Sequence, residues 1–161
     1  MTTQHRPKMK AEPATKQKLR LWLRLLGASR SIEAELRQRL RVEFSTTLPK
    51  FDVMAALDRK SAGMTMTEVS RFLKVSNGNV TGIIDRLVAE GLVVRLAHEG
   101  DRRATFVRLT PRGTQQFAAM AKAHEAWIAE MLGEVGREET DTLVTLLGTL
   151  RAPTRNEGRT P

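Results

Sequence analysis

Two stretches hold the residue types that could do chemistry. Residues 75–85 read VSNGNVTGIID, in which Asn77, Gly78, Asn79, Thr81 and Gly82 cluster just ahead of Arg86. Residues 99–103 read EGDRR, placing Asp101, Arg102 and Arg103 in a row. Amides and hydroxyls donate to or accept from base edges, while arginine binds phosphate or enters a negatively charged groove. Catalysis has no comparable basis. The sequence has no cysteine, and His5, His98 and His124 stand far apart without ligand spacing, so neither a metal nor a cofactor is expected. A Ser/His/Asp set and a phosphate-binding glycine loop are both missing. His98, beside Glu99 and Asp101, falls on an expected exposed turn that cannot exclude water, so the chain reads as non-enzymatic.

The glycines raise the question of which element carries them, because each costs a helix interior roughly 1 kcal/mol relative to alanine. Thr65 and Glu68 have capping-box spacing and introduce Val69, Phe72 and Leu73 on a short helix. Residues 74–76, KVS, then make a turn; Ser76 is an N-cap candidate for a second helix running to Glu90, and Gly91 stops it. At about 100° per residue, Val80, Ile83, Ile84, Leu87 and Val88 share one side, leaving Gly78, Asn79, Thr81, Gly82, Asp85 and Arg86 outward. A short helix, a tight turn and a second helix form a helix-turn-helix, whose second helix can enter the major groove. On that face the glycines remove bulk where DNA comes close. The competing reading is that Gly78 sits in a tolerant first turn and Gly82 is neutral drift. Strand candidates at 92–97 (LVVRLA) and 105–109 (TFVRL) make a hairpin with HEGDRR at its tip. A helix-turn-helix followed by a basic hairpin is a winged helix. Arg103 is the side chain expected in the minor groove, with Asp101 orienting it and Arg102 on phosphate.

The remaining chain must support this unit. With 161 residues, 40% of them apolar, one modest domain is expected. The net charge of +9 and a pI near 10.8 point to a polyanionic partner, without separating nucleic acid from a membrane surface. No apolar run approaches the roughly 20 residues that cross a bilayer, and the N-terminus has no apolar stretch to act as a signal, so a cytoplasmic protein without a membrane partner is expected. Residues 1–15 read as a basic flexible arm and 151–161 as a flexible tail. Amphipathic helices are expected over 16–44, blurred at Gly27 and Ser29, over 49–60 behind Pro49, over 111–135 behind Thr110 and Pro111, and from 137 to Arg151. Residues 92–113 carry five arginines against Glu99 and Asp101, whereas 114–150 carry a net −4.

The run MTMTEVSRFLKVSNGNVTGIIDRLVAEGLVVR, followed by HEGDRRATFVRLTPRG, closely resembles the MarR family of bacterial transcription regulators. The resemblance rests on Asp101 and Arg103 as a D-x-R wing and on Val107, Leu109, Thr110 and Gly113 as V-x-L-T-x-x-G. It spans 65–113 most strongly and, through helix order, about 17–150. It implies a mainly α fold with a small β-hairpin: a winged helix-turn-helix over 49–110 within a single domain of 16–150, flanked by dimerisation helices at 16–48 and 111–150. It implies a homodimer on a pseudo-palindromic operator of double-stranded DNA, in the bacterial cytoplasm and nucleoid-associated. The implied DNA contacts are Thr65, Ser76, Asn77, Gly78, Asn79, Thr81, Gly82, Arg86, Asp101, Arg102 and Arg103. Many family members are repressors released by a small aromatic or other anionic compound. Trp22, Leu26, Arg30, Phe51, Met54, His124 and Trp127 are the candidates to line such an effector site, with plain core packing as the alternative for each. The absence of cysteine and of clustered ligands argues against thiol or metal sensing. An effector-independent architectural DNA-binding protein is the rival function.

Overall fold

The computed structural model describes residues 13–98 and 101–150, those at 97, 98 and 101–105 by backbone alone. Its first helix, α1 (Ala14–Phe44), is unbroken. The expected blurring at Gly27 does not occur: Gly27 faces open space, and the leucines, arginines and glutamates around it are good helix formers. Ser45 closes α1 in the left-handed conformation, φ 51°, and the Thr46 N–H reaches back to the Leu40 carbonyl at 3.2 Å. The second helix, α2 (Leu48–Asp58), starts one residue earlier than the pattern suggested and ends two earlier. Thr47 caps it by accepting from the Lys50 N–H at 3.4 Å.

Gly63, at φ 99°, turns the chain into β1 (Met64–Thr65), which the sequence did not reveal. α3 (Met66–Leu73), α4 (Asn77–Ala89), β2 (Val93–His98) and β3 (Asp101–Leu109) follow. The expected hairpin is therefore two strands of a three-stranded antiparallel sheet ordered β1-β3-β2, in which Met64 lies opposite Val107 and Val93 opposite Leu109. A two-residue strand has no period to read; only its partner identifies it. Then come α5 (Pro111–Met131), ending four residues short of expectation, and α6 (Arg137–Gly148), ending three short.

The chain forms two compact units, one reaching to His124 and the other beginning at Glu125. In the first, α2 packs on α3, α4 and β3, and its Val53, Met54, Ala56 and Leu57 are essentially inaccessible. Val69 of α3, Val80, Ile84 and Leu87 of α4, and Val107 of β3 are sealed to the same degree. In the second, α6 buries no residue and exposes Leu143, Val144, Leu146 and Leu147.

Candidate nucleic-acid interface

The start of the helix-turn-helix is set by a reciprocal cap. The Thr65 hydroxyl accepts from the Glu68 N–H at 3.1 Å, and the Thr65 N–H donates to the Glu68 carboxylate at 2.7 Å. Lys60 donates to the other carboxylate oxygen at 2.8 Å. These contacts hold the Glu68 carboxyl at a pKa of about 2, chiefly through Lys60 and then through the Thr65 backbone. Thr65, one of the implied DNA contacts, thus already spends its side chain on the cap. Lys74, left-handed at φ 56°, makes the turn, and the Val75 N–H closes it on the Ser70 carbonyl at 3.1 Å.

Ser76 precedes α4 in the extended conformation of an N-cap, although its side chain makes no capping bond. The helix is sharply two-sided. Val80, Ile84 and Leu87 are fully buried, whereas Ser76, Asn77, Gly78, Asn79, Thr81, Gly82, Asp85 and Arg86 are exposed. A Cβ built at Gly78 or Gly82 meets nothing within 4 Å, so no contact inside the chain calls for glycine at either place. The Thr81 hydroxyl donates to the Asn77 carbonyl at 2.9 Å and so offers its lone pairs outward rather than its proton.

Asp85 does not stand free on that face. It takes an ion pair from Arg95 of β2 at 2.6 Å, joining α4 to the first strand of the hairpin. Sequence reasoning missed this link, for which opposite charges flanking the turn at Gly91 were the available signal. The end of α4 is tied down as well. Gly91 turns at φ 71°, the Thr110 hydroxyl donates to the Gly91 carbonyl at 2.8 Å, and the same oxygen accepts from the Gly113 N–H at 3.0 Å. A Cβ on Gly113 would fall on the Leu92 carbonyl oxygen, which accounts for glycine three residues after Thr110. Lys50 of α2 pairs with Glu90 at the C-cap of α4. Among the described residues, therefore, α4 is anchored at its end and to the wing while its polar face is left open. Asp101, Arg102 and Arg103 lie in the backbone of β3, opposite the end of β2; their side chains fall outside the described residues.

The effector candidates separate. Phe51 is buried and stacks on His124, with ring centroids 4.8 Å apart, and Phe117 lies 5.5 Å from Phe51. Burial lowers the His124 pKa, favouring the neutral imidazole. Met54 is fully buried and Leu26 half-buried, but Trp22 is 56% exposed and Arg30 is exposed on α1. Trp127 is buried and belongs to the second unit.

A family model described as MarR family matches residues 44–104, from the end of α1 to the wing. The crystal structure of a MarR family transcriptional regulator from Silicibacter pomeroyi superposes with a TM-score of 0.73 at 32% identity, covering 85% of this chain and 95% of that one. The chain belongs to the MarR family of transcription regulators. Within that family it is also similar to the transcriptional activatory protein BadR of Rhodopseudomonas palustris, at 31% identity over 80% of this chain and 75% of that protein. A mutant MarR from E. coli, solved in complex with operator DNA, superposes with a TM-score of 0.72 at 25% identity over 85% of this chain and 97% of that one. These relatives are transcription regulators rather than enzymes. As a MarR-family protein the chain is a DNA-binding transcription regulator with a winged helix-turn-helix. No helix among the described residues is long and apolar enough to cross a membrane.

Proposed function

We propose that the protein is a homodimeric repressor that holds a pseudo-palindromic operator and releases it when a small anionic compound binds. The observation that carries the DNA half is the two-sided α4, whose exposed amides, glycines and Arg86 oppose a sealed apolar face. In this reading Ser76, Asn77, Gly78, Asn79, Thr81 and Gly82 face the major groove with Arg86 nearby. Arg103 enters the minor groove beside Asp101, and Arg102 meets phosphate. The dimer half is supported by apolar surface that one chain leaves uncovered. Leu19, Trp22 and Leu23 on α1 are each 56% to 57% exposed, and Val144 and Leu146 on α6 are 65% and 57% exposed. Such residues mark a protein interface. Two recognition helices then address half-sites about one helical turn, roughly 10 bp, apart. The effector half is supported by the surplus of basic residues over 17–50, eight positive against three negative.

Footprinting on genomic fragments retained by the protein is the test. A short inverted repeat near a promoter, released when one metabolite is added, is the expected result. Uniform coating of DNA without release would replace the repressor by an architectural protein. A sedimentation mass equal to one chain at micromolar concentration would refute the dimer.

A further inference from the structure

Asp85 is the only acidic residue of α4. At about 100° per residue it lies about 20° around the helix from Gly78 and about 60° from Gly82, on the side away from the sealed Val80, Ile84 and Leu87. Its carboxylate therefore shares the approach that the two glycines leave open. DNA is a polyanion, so a bare negative charge at this place lowers affinity for every sequence alike. A carboxylate kept on this face must be offset, and what it contributes must depend on the base it meets.

Arg95 of β2 supplies the offset by donating to Oδ1 of Asp85 at 2.6 Å. The two side chains are 40% and 55% exposed, so their pairing adds little to the stability of the fold. It does hold one carboxylate oxygen in place, while Oδ2 accepts from no described residue. That oxygen has lone pairs and no proton to give. Thr81, one turn earlier on the same exposed face, has committed its hydroxyl proton to the Asn77 carbonyl and is left as an acceptor too. Thr81 and Asp85 thus make two acceptors one turn apart.

In the major groove the donors are the amino groups of cytosine and adenine, whereas guanine and thymine present acceptors that repel a carboxylate. Adenine sets its N7 acceptor beside its amino group, and cytosine has no such neighbour. We infer that Asp85 selects a cytosine in each half-site by accepting from its N4 amino group. Arg95 is the positioning residue, which aims the carboxylate and offsets its charge. This inference rests on the reading of α4 as the helix that enters the major groove.

The experiment selects bound sites from a randomised duplex pool with the full chain and then measures affinities at one fixed salt concentration. The wild-type chain should enrich one cytosine per half-site, and thymine in its place should weaken binding about tenfold. Asp85→Ala should lose that preference yet bind the thymine site at least as tightly as the wild type does, because a negative charge has gone. Asp85→Asn should move the preference toward adenine, whose N6 and N7 an amide contacts together. Asp85→Asn keeps the side-chain shape and decides alone if Asp85→Ala fails to fold. Arg95→Met should keep the preference and weaken binding to both sites; unchanged affinity overturns its positioning role. A pair that only braces the fold gives equal losses on both sites and an unaltered base preference in the Asp85 variants, and that result overturns the inference. Failure of the underlying reading looks different. Gly82→Leu then binds the operator as the wild type does, whereas loss of binding in Gly82→Leu with an unaltered preference in Asp85→Asn refutes the role of Asp85 alone.

Discussion

Gly82 separates a structural residue from a functional one by the sign of two effects. It is the sixth residue of α4, inside the helix and exposed, and a Cβ there meets nothing within 4 Å. Alanine should therefore fit without strain and stabilise the protein by roughly 1 kcal/mol, the helix-propensity difference from glycine. For a chain of this size that is a rise in melting temperature of roughly 2–4 °C. Operator affinity should move the other way, because the same open space is what DNA fills in the proposed complex. Gly82→Leu places a branched side chain into the groove and should weaken operator binding at least tenfold, about 1.4 kcal/mol, with the circular dichroism spectrum unchanged. Thermal melts and fluorescence-anisotropy titrations at one fixed salt concentration measure the two quantities, since affinity for DNA shifts steeply with salt. Wild-type affinity in Gly82→Leu, or a lower melting temperature in Gly82→Ala, would refute the reasoning.

Three further outcomes are expected. Gly113→Ala puts a Cβ onto the Leu92 carbonyl oxygen and should destabilise the protein by about 1–3 kcal/mol in denaturant titration, the range of overpacked sites. The Glu68 carboxyl, held at about 2 against an ordinary 4.5, contributes stability that is complete above pH 4.5 and is lost as pH falls toward 2. Lys60→Met removes its largest cause and should flatten stability over that window. Arg103→Ala should weaken operator binding and lower the salt dependence while leaving the melting temperature unchanged; equal operator affinity would defeat the wing assignment.

Much of the helix-turn-helix was legible because it is written in short spacings. Thr65 and Glu68 three residues apart do form the reciprocal cap, and the period of Val80, Ile84 and Leu87 did set which face of α4 is buried. Gly91 ends the helix in a left-handed turn, as a glycine after a periodic run should. Less legible were the links between elements. The Asp85–Arg95 ion pair spans ten residues across a turn, a separation that no helical or strand period marks. The Lys50–Glu90 pair spans forty.

The sequence by itself determined the order and polarity of the helices, the cap that starts the helix-turn-helix and the family to which the chain belongs. All of these are local patterns, repeated within a few residues. Only the tertiary structure decided that Met64 and Thr65 form a third strand, that Phe51 stacks on His124, and that Met54 is sealed while Trp22 and Arg30 lie exposed on α1. A residue type and its local period specify what a side chain can do. Which distant side chain it meets depends on how the helices and strands pack, and that is set by the whole core at once.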